Sequence, residues 1–327
     1  MKFLITGING FIGSHVAERL LKEGHTVRGL VRKTSDLSFL EGMTIDYYYG
    51  DITQPDTLSA ALKNVDTVIH VAGLASDWGS YKTFHKINVQ GTINLAKEAD
   101  IQKVKRFVHI STTAFYGFGR NHAVKESDDY KPTIFPYSET KREAEKWLFE
   151  YSKKTSMKIT AIRPGNVFGP RDHTFMEKYL EAMEQGKMAY IDGGASKTCP
   201  SYIENVLDGI LLACFSGKAD GEAFFITDGL DIDWKTFTDA FADELGIKRP
   251  KLSFPFYPVY FLAWVMELIY KILGIKTAPL LTRYRISNGG RDYYLSIEKA
   301  KRILGYTPKV DFNEAVKRTV QWYKNRG

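Results

Sequence analysis

The chain has 327 residues, 44% of them hydrophobic, which suits one large α/β domain with a smaller appended part and argues against disorder. Its formal charge of +7 comes from 45 basic and 38 acidic residues without a long run of like charges, so we expect no nucleic-acid partner. The two cysteines, Cys199 and Cys214, lack C-x-x-C or metal-ligand spacing, which predicts a reducing compartment and no bound metal.

The first residues and one later segment bear on location. The N-terminal stretch has no basic region followed by a long apolar region, so we expect no secretory signal and a cytoplasmic protein. Residues 254–273 are as long as a membrane-spanning helix, but they contain Pro255, Pro258, Glu267 and Lys271, which disfavour a span. We interpret them as an apolar helix packed on the protein or shaping a substrate entrance, with peripheral membrane contact as the alternative.

The first half of the chain alternates short β-branched runs with segments of helical periodicity, which indicates βαβ units and a parallel sheet. The predicted strands are residues 2–6, 26–31, 45–49, 67–71, 106–110 and 158–163. The predicted helices are residues 13–23, 56–62, 84–99, 138–155, 175–185, 234–245 and 312–324. The alternation weakens near residue 170, so we predict a domain over 1–170 and a smaller mixed α/β substrate lobe over 171–327, interleaved with the sheet.

A glycine-rich loop joins the first predicted strand to the first helix. Gly7, Gly10 and Gly13 form a G-x-x-G-x-x-G pattern, which allows a tight turn, close approach of a pyrophosphate and close helix–strand packing. The pattern in this position predicts a doubly wound, Rossmann-type sheet that binds a dinucleotide. The predicted contacts from the loop are Gly7, Asn9, Gly10, Phe11, Ile12 and Gly13.

The end of the second predicted strand indicates which dinucleotide is bound. Arg32 and Lys33 stand where an acid would bind the adenosine ribose hydroxyls, and their charges suit a 2′-phosphate. NADP(H) is therefore favoured, with NAD(H) as the alternative. Further cofactor contacts are predicted after the third and fourth strands, at Asp51, Ile52, Val71, Ala72 and Gly73.

A tyrosine and a lysine lie one helical turn apart at the start of the 138–155 helix. Tyr137 and Lys141 form a Y-x-x-x-K pattern, in which the ammonium favours the phenolate and moves the tyrosine pKa toward neutrality. The strand over 106–110 is followed by the hydroxyls of Ser111 and Thr112, which we expect to meet the phenol at the carboxyl edge of the sheet.

These motifs resemble the extended short-chain dehydrogenase/reductase family over nearly the whole chain. Residues 88–92 resemble its N-V-x-G-T element and residues 163–170 its R-P-x-x-V-x-G-P element. The resemblance implies that Thr112 orients the substrate oxygen, with Ser111 as the second candidate, and that Tyr137 exchanges a proton with it. It also implies that Lys141 holds the nicotinamide ribose and that Asn88 positions structure or water behind these residues. The further nicotinamide contacts that it implies are Pro164, Gly165 and Val167.

Within that family the chain resembles the 3β-hydroxysteroid dehydrogenase-like and dihydroflavonol reductase-like branch. Sugar dehydratases place Asp-Glu after the catalytic threonine, whereas this chain has Thr113 and Ala114. The resemblance implies an oxidoreductase that interconverts a hydroxyl and a ketone on a bulky apolar molecule, such as a steroid, triterpenoid, flavonoid or β-keto acyl compound. A nucleotide-sugar epimerase or reductase and a non-catalytic NADP-binding protein are the alternatives, and a homodimer is a further expectation. The predicted substrate contacts are Trp78, Thr113, Asn166 and Tyr202, of which Trp78 and Tyr202 have packing as an alternative role.

Overall fold

The computed structural model describes residues 1–120 and 122–326. In chain order, the strands are β1 (Lys2–Thr6), β2 (Thr26–Val31), β3 (Asp46–Tyr49), β4 (Thr67–His70), β5 (Arg106–Ile110), β6 (Lys158–Pro164), β7 (Asn166–Phe168), β8 (Tyr190–Ile191), β9 (Lys197–Thr198), β10 (Pro200–Tyr202), β11 (Ala223–Ile226), β12 (Ile232–Asp233) and β13 (Ser253–Phe254). The α-helices are α1 (Phe11–Lys22), α2 (Ser59–Leu62), α3 (Tyr81–Phe84), α4 (Gly91–Ile101), α5 (Pro136–Ser152), α6 (Met176–Glu184), α7 (Ile203–Phe215), α8 (Trp234–Leu245), α9 (Phe256–Ile272), α10 (Arg283–Gly290), α11 (Glu298–Leu304) and α12 (Phe312–Lys324).

The central sheet has the order β3-β2-β1-β4-β5-β6-β11, and all neighbouring strands in it are parallel. The strand order reverses direction between β1 and β4, as in doubly wound sheets that bind nucleotides at this point. The Rossmann-type fold class is therefore confirmed. Strand β11 shows that the second half of the chain supplies an edge strand of this sheet, while the division at residue 170 stays a prediction.

Both faces of the sheet are covered by apolar layers. One layer packs α1 and α7 against the sheet and extends into the later lobe through α8 and α12. The other packs α2, α4 and α5 on the opposite face, around Leu4, Val68 and Phe107. Parallel strands buried on both faces read as continuous apolar runs, which is why β1 and β5 stand out in the sequence.

The helix predicted over 84–99 is interrupted. It consists of α3, a π-helical turn over His85–Gln90 and α4. Such turns insert an extra residue into the helical repeat and rotate the side chains that follow. Apolar periodicity does not reveal this insertion, because Phe84, directly before the turn, and Val89, within it, are both buried.

The apolar segment predicted at 254–273 forms α9. Pro255 precedes it in an extended conformation, and Pro258 falls in its first turn, where a missing N–H costs no intrahelical hydrogen bond. The helix packs beside α10, and Glu267 is buried against Arg283. None of the helices in the described part of the chain is long and apolar enough to cross a membrane.

Candidate active site

A cleft of about 1070 Å³ lies at the carboxyl edge of the sheet. Its walls come from the residues that follow β1 through β6, so six strand ends converge on one space. The predicted site residues that line it are Gly7, Asn9, Gly10, Phe11, Ile12, Arg32, Asp51, Ile52, Val71, Ala72, Gly73, Ser111, Thr112, Tyr137, Lys141, Pro164, Gly165 and Val167.

The glycine loop has the shape that a pyrophosphate requires. Gly7 has a φ of 67°, and a Cβ there would lie 2.8 Å from the backbone nitrogen of Ala72. A Cβ on Gly13 would lie 2.1 Å from the carbonyl oxygen of Gly7, so this glycine permits the contact between α1 and the loop. Helix α1 begins without a side-chain cap or an acidic first turn, which leaves free N–H groups at residues that line the cleft. The loop therefore fits the dinucleotide that the sequence predicts.

The end of β2 places a cation at the rim of the cleft. Arg32 lines the cleft with Ser35, and the Arg32 backbone N–H donates to the Ser35 hydroxyl over 3.1 Å. Lys33 is exposed and lies outside the lining residues. An exposed guanidinium beside a hydroxyl suits a phosphate monoester on the adenosine ribose.

Asp51, after β3, is held in a fixed orientation. Its carboxylate accepts hydrogen bonds from the backbone N–H and the hydroxyl of Thr53, each over 2.8 Å. Both residues line the cleft, together with Ile52. This wall can offer a carboxylate and apolar surface to an adenine ring.

The catalytic candidates Tyr137 and Thr112 meet at the cleft. Tyr137 lies in the first turn of α5, directly after Pro136 at the helix start, and Thr112 follows β5. Burial raises the pKa of the Tyr137 phenol, and the hydrogen bond from the Thr112 hydroxyl acts in the opposite direction. Ser111 lies beside them with a buried hydroxyl that has no hydrogen-bond partner among the described residues. Two hydroxyl-bearing residues and a phenol thus line the same part of the cleft.

Lys141 is a buried cation beneath this group. Its ammonium donates to the carbonyl oxygen of Ile110 and lies 3.5 Å from His109 Nε2. Burial lowers the Lys141 pKa to about 8, although the Glu145 carboxylate favours the charged form. Burial also holds the His109 pKa well below its ordinary value, so the imidazole is neutral and its Nε2 can accept a hydrogen bond from the Lys141 ammonium.

Asn88 lies behind the cleft wall. It belongs to the π-helical turn and is 2% exposed. Its Oδ1 accepts from the Leu74 N–H over 2.7 Å, and its Nδ2 donates to the Leu74 carbonyl and the Thr140 hydroxyl, each over 3.2 Å. Asn88 therefore joins the loop after β4 to the helix that carries Tyr137.

A buried ion pair anchors that helix to the sheet. Arg163 on β6 donates from Nε to both carboxylate oxygens of Glu145 on α5, over 3.1 and 3.0 Å. Both side chains are about 5% exposed or less. Arg163 Nη1 also donates to the Tyr116 hydroxyl over 2.6 Å. This network fixes α5, and with it the phenol of Tyr137, against the strand ends.

Two residues predicted to contact substrate are buried instead. Thr113 is 0% exposed, and its hydroxyl donates to the Pro164 carbonyl over 3.0 Å. Tyr202 is also 0% exposed, with its ring 5.5 Å from that of Phe168 in the core. Neither lines the cleft. Both side chains thus lie in the protein interior rather than on the cleft wall.

The other two predicted substrate residues also lie off the cleft wall. The amide of Asn166 donates to the Thr198 hydroxyl over 3.1 Å, which ties β7 to β9. Trp78 packs with its ring edge on Tyr270 of α9, 6.2 Å between centroids, and its indole N–H donates to the Ile275 carbonyl over 3.4 Å. Trp78 therefore connects the loop after β4 to the apolar helix.

Many residues of the cleft wall were not predicted from the sequence. They are Thr6, Leu30, Val31, Ser35, Gly50, Thr53, Leu74, Ala75, Lys82, Thr83, Lys86, Ile87, Ile110, Asp172, Thr174 and Phe175. Gly50 could have been predicted because it directly follows a strand, and Ser35 because it is close to Arg32 in the sequence. Lys82, on α3, and Lys86, in the π-helical turn, follow no strand end, so their position in the sequence carries no such signal.

Three known proteins that this chain is similar to are dehydrogenases or reductases. Sterol-4-alpha-carboxylate 3-dehydrogenase, decarboxylating, of Mus musculus is 30% identical, over 98% of this chain and 90% of the mouse protein. The 2-alkyl-3-oxoalkanoate reductase of Stenotrophomonas maltophilia is 28% identical, over 97% of this chain and 98% of the bacterial one. The 3 beta-hydroxysteroid dehydrogenase/Delta 5-->4-isomerase of Mycobacterium tuberculosis is 30% identical, over 98% of this chain and 90% of that protein.

Family and fold comparisons agree with these relatives. The UDP-glucose 4-epimerase structure from Thermotoga maritima, with UDP-glucose, superposes with a TM-score of 0.82 at 24% identity and covers 99% of both chains, which shows the shared fold. The family model described as NAD dependent epimerase/dehydratase family matches residues 3–226. The predicted resemblance to short-chain dehydrogenases of the 3β-hydroxysteroid dehydrogenase-like branch is confirmed, and the chain belongs to the NAD-dependent epimerase/dehydratase family.

Proposed function

We propose that this protein is an NADP(H)-dependent oxidoreductase that interconverts a hydroxyl and a ketone on a bulky, largely apolar substrate. The observation that carries the proposal is the meeting of Thr112, Tyr137 and Lys141 at one edge of a dinucleotide-sized cleft. The steroid, triterpenoid, flavonoid and β-keto acyl compounds expected from the sequence remain the candidate substrates.

The residues supply the proton chemistry of such a reaction. Tyr137 would give a proton to the carbonyl oxygen during reduction and take it from the alcohol during oxidation. Thr112, with Ser111 beside it, would hold that oxygen by hydrogen bonds. The Lys141 ammonium would favour the phenolate through its charge, and, because Lys141 lines the cleft, it would also donate to a ribose hydroxyl of the cofactor. A nicotinamide bound beside Pro164 and Gly165 would supply or accept the hydride.

Preference for NADP(H) is the finer part of the cofactor proposal. Arg32 and Ser35 at the end of β2 offer charge and a hydroxyl to a 2′-phosphate, and Lys33 adds a second exposed cation nearby. An acid at this position would instead favour NAD(H).

An apolar substrate suits the side of the site beyond the phenol. Tyr284 of α10 packs edge-on against Phe118 and Phe135, with ring centroids 5.6 and 5.1 Å apart. Phe135 immediately precedes α5 and its Tyr137. The similarity to a sterol dehydrogenase and an oxoalkanoate reductase also supports a hydroxyl or ketone on a largely hydrocarbon molecule.

Consumption of NADPH with a panel of bulky ketones tests the function. We expect turnover by the natural protein and a loss of at least about a hundredfold in Tyr137→Phe, since the general acid is removed while the ring is kept. Equal turnover by the two proteins would contradict the assignment. Stabilisation by UDP- or GDP-sugars, with no turnover of any ketone, would favour the nucleotide-sugar alternative instead.

Two partner proposals accompany this function. Residues 254–273 expose apolar side chains, including Tyr257 and Phe261, which supports peripheral membrane contact. A homodimer is the second proposal, and light scattering of the full chain in the presence of NADPH tests it by mass.

A further inference from the structure

One face of α9 is apolar and exposed. Its members, called here the α9 face, recur every three or four residues and so share one side of the helix. They are Tyr257, Phe261, Trp264, Leu268 and Ile272, with exposed fractions between 42 and 74%. The opposite side is buried through Phe256, Ala263 and Glu267. In most surface helices the apolar side is buried and the charged side is exposed. In α9 an apolar side is exposed, and the only carboxylate of the helix, that of Glu267, is buried against the protein.

Apolar residues on either side extend this face. Leu252 and Phe254 precede the helix, and Leu273 and Leu280 follow it, all of them exposed by about half or more. A continuous apolar surface of this kind marks a site of contact with a partner or a membrane, because leaving it in water is unfavourable.

The exposed charged side chains within residues 248–280 are all positive. One exposed carboxylate from another part of the chain, that of Asp192, accepts a hydrogen bond from the Phe256 N–H at the start of the helix over 3.0 Å. Glu267 is the only carboxylate in residues 252–280, and it is buried in its pair with Arg283. Lys248 and Lys251 lie before the helix and Lys271 and Lys276 at or beyond its end, and all four are exposed. Within residues 1–120 and 122–326, no carboxylate forms a salt bridge with any of these lysines.

This charge pattern favours an anionic bilayer over a second copy of the chain as the partner of the α9 face. Two copies of the chain packed through the α9 face would bring like-charged lysines together, which opposes self-association through it. An anionic bilayer offers apolar depth for the face and negative headgroups for the lysines at both ends. Tyr257 and Trp264 are the side-chain types that favour the boundary between headgroups and acyl chains.

The α9 face also lies close to the substrate side of the site. Helix α9 packs beside α10, and Tyr284 of α10 contacts Phe135, which leads directly into Tyr137. On its other flank, Tyr270 contacts Trp78 in the loop after β4. The exposed helix and the catalytic phenol are thus separated by α10 and a layer of aromatic rings.

We propose that the α9 face docks on an anionic lipid bilayer and that the apolar substrate passes from the bilayer to Tyr137 along the edge between α9 and α10. The second half of this inference rests on the proposed function. The first half concerns binding alone and stands without it.

Cosedimentation with vesicles tests the docking. The full chain, with NADPH present, is mixed at low salt with vesicles of phosphatidylcholine alone or with roughly one third phosphatidylglycerol. We expect binding to the anionic vesicles, at least about tenfold weaker binding by Phe261→Glu or, separately, Ile272→Glu, and unchanged binding by Ile101→Glu. Ile101 is a matched control because it is 69% exposed on another helix. Thermal melting checks that each variant is folded.

Two further experiments test membrane docking and substrate delivery separately. Lys248→Gln combined with Lys251→Gln and Lys276→Gln is expected to weaken binding to anionic vesicles and to leave any binding to neutral vesicles unchanged. Phe261→Glu is expected to slow reduction of a ketone dissolved in the vesicles while turning over a water-soluble ketone at the natural rate. If Tyr137→Phe stays active, the proposed function fails, whatever the vesicles show.

Three outcomes would overturn the docking proposal. One is the absence of binding to anionic vesicles, and another is equal binding by the natural protein and Phe261→Glu. The third is a doubled mass by light scattering that Phe261→Glu abolishes without any vesicle binding, which would assign the α9 face to a second copy of the chain.

Discussion

At the residue scale, Lys141 is a site residue whose burial lowers the free energy of unfolding. It is 5% exposed, and burial lowers its pKa from 10.5 to about 8. The folded protein therefore binds the Lys141 proton more weakly than the unfolded chain, and folding bears a cost whenever the ammonium is charged. That cost is present at neutral pH and declines as the pH rises from about 8 toward 10.5.

Replacing Lys141 with methionine should expose this cost. Since Lys141→Met removes the charge and keeps the volume, we expect the free energy of unfolding at pH 7 to rise by up to about 3 kcal/mol, while activity is lost. Urea unfolding of both proteins without cofactor, between pH 7 and 10.5, measures the difference, which should shrink with rising pH. A variant less stable than the natural protein at pH 7 would contradict this account.

Arg32 carries the proposed preference for the 2′-phosphate. Arg32→Asp replaces an attractive charge with one that repels phosphate and accepts hydrogen bonds from ribose hydroxyls. We expect the ratio of kcat/KM with NADPH to that with NADH to fall by about a hundredfold or more, roughly the loss of one charge-assisted contact plus a repulsion. Lys33→Asp serves as the comparison, because Lys33 lies outside the cleft wall. An equal fall in the ratio for both variants would mean that the overall positive charge, and not a direct contact from Arg32, sets the preference for NADPH.

The sequence predicts site residues well where a strand end fixes them. Gly7, Arg32, Ser111 and Tyr137 line the cleft because strand ends and a helix start place them there. Tyr202 is the last residue of β10, a short strand that pairs with β7, and its burial depends on packing against Phe168, which no local pattern encodes.

At the element scale, the Glu145–Arg163 pair holds α5 on β6. Removing one partner leaves the other charge buried and unpaired, which costs several kcal/mol in general. We expect Glu145→Leu to lower the free energy of unfolding by about 3 kcal/mol and Arg163→Met combined with Glu145→Leu to lower it by less. Denaturant unfolding of the two variants at pH 7 decides this, and a double variant that is clearly the less stable of the two would argue against the ion pair as the main anchor.

The π-helical turn between α3 and α4 could not be predicted from the periodicity of apolar residues. One helix is predicted over 84–99, yet the inserted turn places Asn88 where it bonds Leu74 and Thr140. The hydrogen bonds that select this geometry involve residues distant in sequence, so a local window cannot anticipate them.

At the scale of the whole molecule, the parallel sheet brings six strand ends to one cleft. Its core strands are predicted nearly to the residue, because strands covered on both faces are continuous apolar runs. Strand β11 is missed, since Ala223–Ile226 follows loops and helices without the βα alternation that marks the first half. The second half of the chain also supplies Tyr284 and α10 on the side of the site proposed for the substrate, and its irregular order of elements makes the substrate the least predictable feature.

Transfer of deuterium tests the central claim most directly. Bulky apolar ketones would be incubated with the natural protein and NADPH deuterated at the nicotinamide C4, and the alcohol analysed by mass spectrometry. The proposed function predicts one deuterium on the carbinol carbon, with product formation strongly reduced in Tyr137→Phe. An alcohol without deuterium, or equal product from both proteins, would contradict it.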